Sequence, residues 1–140
     1  MTDIPELIPL IEKNVSMNTP STSTSKIVAQ DLDWTVLQSA PPTLRAKAFS
    51  FGCVDILLVV DCVYHPNLVS PLVGTMRYLT TPGKTTVVVV VELRAEDVIQ
   101  VFLETWLQSD PRWRIWSVGE QRLDSAYAMW VGRLELEDGE

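Results

Sequence analysis

Asp55-Ile56-Leu57-Leu58-Val59-Val60-Asp61-Cys62-Val63-Tyr64-His65-Pro66 carries a run of branched aliphatics straight into a cluster of polar groups. Asp55 to Val60 shows no apolar–polar alternation, the habit of a strand covered on both faces in a parallel sheet flanked by helices. Asp61, Tyr64 and His65 follow at once, and Pro66 forbids the strand from continuing. A carboxylate, a phenol and an imidazole therefore gather past the strand's carboxyl end. That edge is where open α/β sheets bind ligands.

Working outward, Leu68 to Leu79 places apolar residues at 68, 69, 72, 73, 76 and 79, a helical stripe. Thr81-Pro82-Gly83-Lys84 is a turn, and Thr85 to Val91 is a second strongly apolar strand closing on Glu92-Leu93-Arg94. Glu96 to Leu107 returns to helical spacing, Arg112 to Val118 alternates as a strand, and Tyr127 to Leu136 is the last strand candidate. Toward the amino terminus, Leu7, Ile8, Ile11 and Val15 give an amphipathic helix, with Asp3 and Glu6 spaced as its N-cap and N3 partner. Asn14 to Ser25, rich in Ser, Thr and Asn, reads as a loop, mobile over about 18–25, and Lys26 to Gln30 as a short strand. Pro41-Pro42 breaks a weak pattern between Thr35 and Gly52, with a helical turn or two expected over Leu44 to Phe51. Residues 135–140 form an acidic, solvated tail. Strands alternating with helices predict one α/β domain over residues 1–140, a parallel sheet with right-handed crossovers ending in an antiparallel hairpin.

Composition excludes several classes. The net charge of -7 over 140 residues, without a Lys/Arg cluster, argues against nucleic acid or an anionic membrane as the partner. The longest apolar runs are too short to span a bilayer, and no secretory-signal pattern opens the chain. Cys53 and Cys62 fit neither a disulfide framework nor a metal knuckle, which points to a reducing, intracellular setting, cytoplasmic with the nucleus left open. The six glycines never take a phosphate-loop spacing, and no His/Cys cluster suggests a metal.

Polar clusters fall at four strand ends: Asp3 if a strand precedes it, Asp31 to Trp34, Asp61 to His65, and Glu92 to Arg94. Each has a plain structural reading: Asp3 as a cap, Trp34 as an edge aromatic, His65 as the start of a helix, Glu92 and Arg94 as a surface pair. Asp61 and Tyr64 favour a site, because a carboxylate ending an apolar run needs a partner or a purpose. Trp106, Trp113, Trp116 and Trp130 read as core or edge packing.

Taken in order, Thr2-Asp3-Ile4-Pro5-Glu6-Leu7-Ile8-Pro9-Leu10-Ile11-Glu12-Lys13-Asn14, Leu32-Asp33-Trp34 and Asp61-Cys62-Val63-Tyr64-His65-Pro66-Asn67-Leu68-Val69 resemble the second half of a class I, seven-β-strand methyltransferase. The resemblance runs from Thr2 to about Leu136, and it is to the methyltransferase-like 21 type of protein-lysine methyltransferase. Its most specific element is D-x-x-Y, here Asp61 to Tyr64, directly after a strand. The resemblance implies a Rossmann-like, mostly parallel sheet and S-adenosylmethionine as cofactor. It makes Asp3 the acceptor of ribose hydroxyls, packs Ile4 on the adenine, lines the adenine side with Leu32, Asp33 and Trp34, and passes Val60 close to the cofactor. Asp61 and Tyr64 would face the target lysine of a protein substrate, as in the fungal relatives that act on translation factors; a small amine stays open as acceptor. The family's first strand, Gly-rich loop and most of its second strand have no counterpart here, so Lys26 to Gln30 is expected to lose its partner and the central strand one neighbour. A non-catalytic, partner-binding remnant is the competing expectation.

Overall fold

A computed structural model describes residues 1–20, 23–24, 26–119 and 125–137 of the chain, which form two compact units, Met1–Phe49 and Ser50–Glu140. Residues 21, 22 and 25 of the expected loop at 18–25, and residues 138–140 of the acidic tail, lie outside the described residues.

In the first unit, β1 (Thr2–Asp3) pairs in parallel with β2 (Gln30–Asp31). Lys26 to Gln30 is thus not a strand without a partner: the ladder begins at Gln30, whose amide donates to the Met1 carbonyl, and the Leu32 amide donates to that of Asp3. Pro5–Leu7 forms a 3-10 turn that leads into α1 (Ile8–Asn18). The helix runs beyond the expected loop start at Asn14, and its polar residues there find partners within it: Ser16 Oγ donates to the Lys13 carbonyl and Asn18 Nδ2 to that of Asn14. The capping residue of the 3-10 turn is Ile4, not Asp3, which still takes up the Ile4 amide on Oδ1 at 2.8 Å. Two short helices follow, α2 (Trp34–Ser39) and α3 (Pro42–Ala48). The first of them was not expected; the second begins before the expected turn at Leu44, on the proline that was read as a breaker and that suits a first helical turn.

The second unit follows the predicted alternation: β3 (Ile56–Val60), α4 (Pro66–Leu79), β4 (Thr86–Glu92), α5 (Glu96–Ser109), β5 (Trp113–Val118) and β6 (Tyr127–Leu134). The sheet order is β3-β4-β6-β5, with β3 and β4 parallel and β6 antiparallel to both β4 and β5. The sheet is therefore mixed rather than mostly parallel, since the closing hairpin inserts β6 beside β4.

Its buried face is set by register. Leu57 and Val59 of β3 align with Val87 and Val89 of β4, which oppose Gly132 and Trp130 of β6. α5 lies on this face, because Trp106 stands directly over Gly132. Phe102, Trp106 and Trp113 stack there with ring centroids 5.6 and 5.5 Å apart, and all three rings are buried. Trp116, by contrast, is exposed. The opposite face is open: Ile56, Leu58 and Val60 are 62, 65 and 58% exposed. The expectation that β3 is covered on both faces is therefore corrected. Branched aliphatics record what a strand can bury, and within this unit α4 packs beside α5, leaving the second face of β3 without a helix of the unit.

Asp110, just past α5, ties this unit together. Arg112 donates to it from its amide (3.0 Å), Nε (2.9 Å) and Nη2 (2.7 Å), and Arg77 of α4 from Nε (3.1 Å). The Arg112 side chain foremost, with Arg77 in support, holds the Asp110 carboxyl well below the usual carboxylate range. A carboxyl depressed in the folded state stabilises fully above its unfolded value of about 4, and that stabilisation is lost as pH falls toward the folded value. Asp110→Asn is expected to lower stability at pH 7 by about 2 kcal/mol. The gap from wild type, followed by urea unfolding, should narrow below about pH 4; a gap unchanged down to pH 3 would remove the charge from the explanation.

Candidate active site

The segment between β3 and α4 is pinned along its length. Asp61 extends the ladder by one bond, its amide donating to the Val90 carbonyl at 2.7 Å. It then turns the chain with φ of 52°, a left-handed conformation that Asp tolerates better than most residues. Val63 is buried. His65 caps α4, its Nδ1 accepting from the Asn67 amide at 3.2 Å, and Pro66 takes the first helical position. His65 therefore starts the helix, as expected. Between these anchors the Tyr64 ring stays 58% exposed and the Asp61 carboxylate is half exposed. Two reactive side chains thus project from a backbone with little freedom, which is what positioning chemistry requires.

The end of β4 adds the groups that the sequence separated. Arg94 donates from Nη2 to Asp61 Oδ2 and pairs through Nε with Glu92 Oε2 at 3.1 Å. The hydrogen bond and charge of Asp61, then the charge of Glu92, push the Arg94 guanidinium above its ordinary value, so it stays cationic. Glu92 and Arg94 do form the expected surface pair, and the missed element is its link to Asp61. That link is made by the fold: both segments directly follow adjacent parallel strands, which brings residues 33 apart in sequence together.

Val60, the last residue of β3, is exposed, and the first unit holds the other predicted residues. Asp3 ends β1 beside Asp31, and its carbonyl accepts from the Leu32 amide at 2.8 Å. Asp3 Oδ2 has no partner among the described residues. Ile4 is exposed, Leu32 is buried, and Trp34 is half-buried in the first turn of α2. Asp33 is that helix's N-cap: its Oδ1 accepts from the amides of Thr35 (2.8 Å) and Val36 (3.2 Å) and from Thr35 Oγ1 (2.6 Å). The Thr35 hydroxyl chiefly, helped by both amides, lowers the Asp33 carboxyl below its usual range. Among the described residues no group of three or more His, Cys, Asp or Glu could hold a metal ion, and no helix is long and apolar enough to cross a membrane.

A family model described as lysine methyltransferase matches residues 1–108, and that stretch contains all four strand-end clusters, Asp61 to Tyr64 and Arg94 among them. The chain belongs to the lysine methyltransferase family. It is 31% identical over 121 residues, 82% of its length, to ribosomal lysine N-methyltransferase 5 of Eremothecium gossypii. It spans only 36% of that relative. Its fold is similar to that of a Thermobifida fusca YX protein described as a candidate methyltransferase, with a TM-score of 0.50 at 13% identity, over 96% of this chain and 62% of that one. Tyr64 and Asp61 offer, three residues apart, an exposed ring and a half-exposed carboxylate. The ring face attracts a cation, and the carboxylate can orient an amine by hydrogen bonding.

Proposed function

We propose that this chain is the carboxyl-terminal part of an S-adenosylmethionine-dependent protein-lysine N-methyltransferase acting on a protein of the translation machinery. The observation that carries the reading is the pinned β3–α4 segment, which presents Asp61 and Tyr64 in a chain of this family. The substrate class is taken from the name of the Eremothecium relative.

Asp3 suits the ribose hydroxyls, since one carboxylate oxygen is engaged by the Ile4 amide and the other has no partner among the described residues. Ile4, Leu32 and Trp34 would offer apolar contacts to an adenine, and Asp33 would fix the turn that carries Trp34. The cofactor supplies an electrophilic methyl on a sulfonium. What the chain supplies is alignment: an amine attacks only when neutral and in line with the methyl, so Asp61 and Tyr64 receive the lysine and orient it.

The test uses the intact protein that carries this chain, tritiated S-adenosylmethionine and purified ribosomes. Label on a ribosomal protein, mapped to lysine by mass spectrometry, is expected. Label on no protein, with cofactor binding intact, would sink the substrate class; no cofactor binding by a cooperatively melting protein would favour a non-catalytic remnant. In the same protein Asp3→Ala should weaken cofactor binding about 10-fold, the scale of one charge-assisted hydrogen bond. Unchanged affinity would leave Asp3 to the Ile4 amide alone.

A further inference from the structure

We propose that Arg94 is a positioning residue, which fixes the direction of the Asp61 carboxylate while Glu92 fixes Arg94. This rests on the reading of Asp61 as a group that receives the acceptor amine. The backbone of Asp61 is set by its amide bond to Val90 and by its left-handed turn, yet a half-exposed Asp side chain would still sample several rotamers. Arg94 removes that freedom. Its guanidinium uses two different nitrogens, Nη2 on Asp61 and Nε on Glu92, and a planar fork held at two points has its orientation fixed. Glu92 is in turn the last residue of β4, paired in register with Tyr127 of β6. The carboxylate is thereby tied to three strands of the sheet, β3, β4 and β6.

Charge points the same way. Two carboxylates share one guanidinium, so the trio keeps one negative charge with which to draw in an ammonium. Arg94 also occupies only the Oδ2 side of Asp61, which leaves Oδ1 to the amine. Fold stability is a poor reason for the arrangement. Ion pairs between side chains this exposed contribute little to stability, whereas a network with a shared arginine has a defined geometry.

The experiment compares the intact protein with Arg94→Ala, Arg94→Lys, Asp61→Asn and the double variant Asp61→Asn/Arg94→Ala. Arg94→Ala is expected to lower kcat for ribosome methylation about 10-fold, with KM for S-adenosylmethionine and the melting temperature nearly unchanged. Arg94→Lys, which keeps the charge and loses the fork, should recover only part of the rate. In the Asp61→Asn background the Arg94 change should have no further effect, because its route to the reaction is gone. A second readout needs no turnover: the three-bond couplings of Asp61 should report one χ1 rotamer in the wild type and averaging in Arg94→Ala. Unaveraged couplings in Arg94→Ala, or equal rate losses in both backgrounds, would overturn the proposal. A wild type that methylates nothing while its couplings respond as expected would instead count against the proposed function.

Discussion

Replacing Gly132 with alanine is expected to destabilise the protein by about 3 kcal/mol, the upper part of the range for overpacking a core. A Cβ at this position would collide with Cζ2 of Trp106 and lie 2.8 Å from its Cη2. Neither side can give way. The indole is fully buried and wedged between the rings of Phe102 and Trp113, and the Gly132 backbone belongs to a strand bonded on both sides, to Val87 of β4 and Ile115 of β5. The urea midpoint should fall with little change in slope. Gly74 in α4 is the control, because nothing stands within 4 Å of its added Cβ. Gly74→Ala should be neutral or stabilising by up to about 1 kcal/mol, as helix propensity dictates. Adding Trp106→Leu to Gly132→Ala should cost less than the sum of the two single changes, since the collision would be gone. A Gly132→Ala variant within about 0.5 kcal/mol of wild type would mean that β6 and α5 do not approach so closely.

That close approach shows which parts of this fold a sequence can express. The stripe in α4 and the valine run of β4 were legible because period and composition are local properties, and both elements stand within two residues of the expected bounds. The glycine that admits Trp106 was not, since its reason lies on another element. The same limit explains α2, a six-residue helix too short to show a period, whose only local mark is the Asp33 cap read first as part of a cofactor pocket. It also explains β3, whose aliphatics are covered on one face and bare on the other. At the candidate site, Asp61 and Tyr64 were legible because D-x-x-Y after an apolar run is a local pattern. Arg94 was not: its partner is chosen by the parallel register of β3 and β4, and its neighbour Glu92 gave a sufficient local explanation. Local patterns name the groups in a site; register decides which of them touch.

Asp61→Ala should lower methyl transfer by the intact protein by roughly 10²-fold while changing cofactor affinity little, the profile of a group that orients the acceptor. The truncation removes the carboxylate and strands Arg94 on Glu92 alone, so the loss should exceed that of Arg94→Ala. Tyr64→Phe keeps the ring face and deletes the hydroxyl. If the ring attracts the arriving ammonium, this variant should retain most of the KM for the protein substrate, and Tyr64→Ala should not. The fold gives reason to expect both variants to remain folded: Tyr64 is exposed, and the segment is held by the buried Val63 and the His65 cap rather than by either side chain. At Asp61 the relief of a left-handed turn is a separate matter, which Asp61→Asn controls because Asn accepts that conformation as readily as Asp. Asp61→Asn and Asp61→Ala should therefore lose transfer to a similar degree. A rate kept by asparagine and lost by alanine would assign the residue's importance to the turn and not to its charge, and equal losses of cofactor binding and transfer would move Asp61 from the acceptor side of the site to the cofactor side.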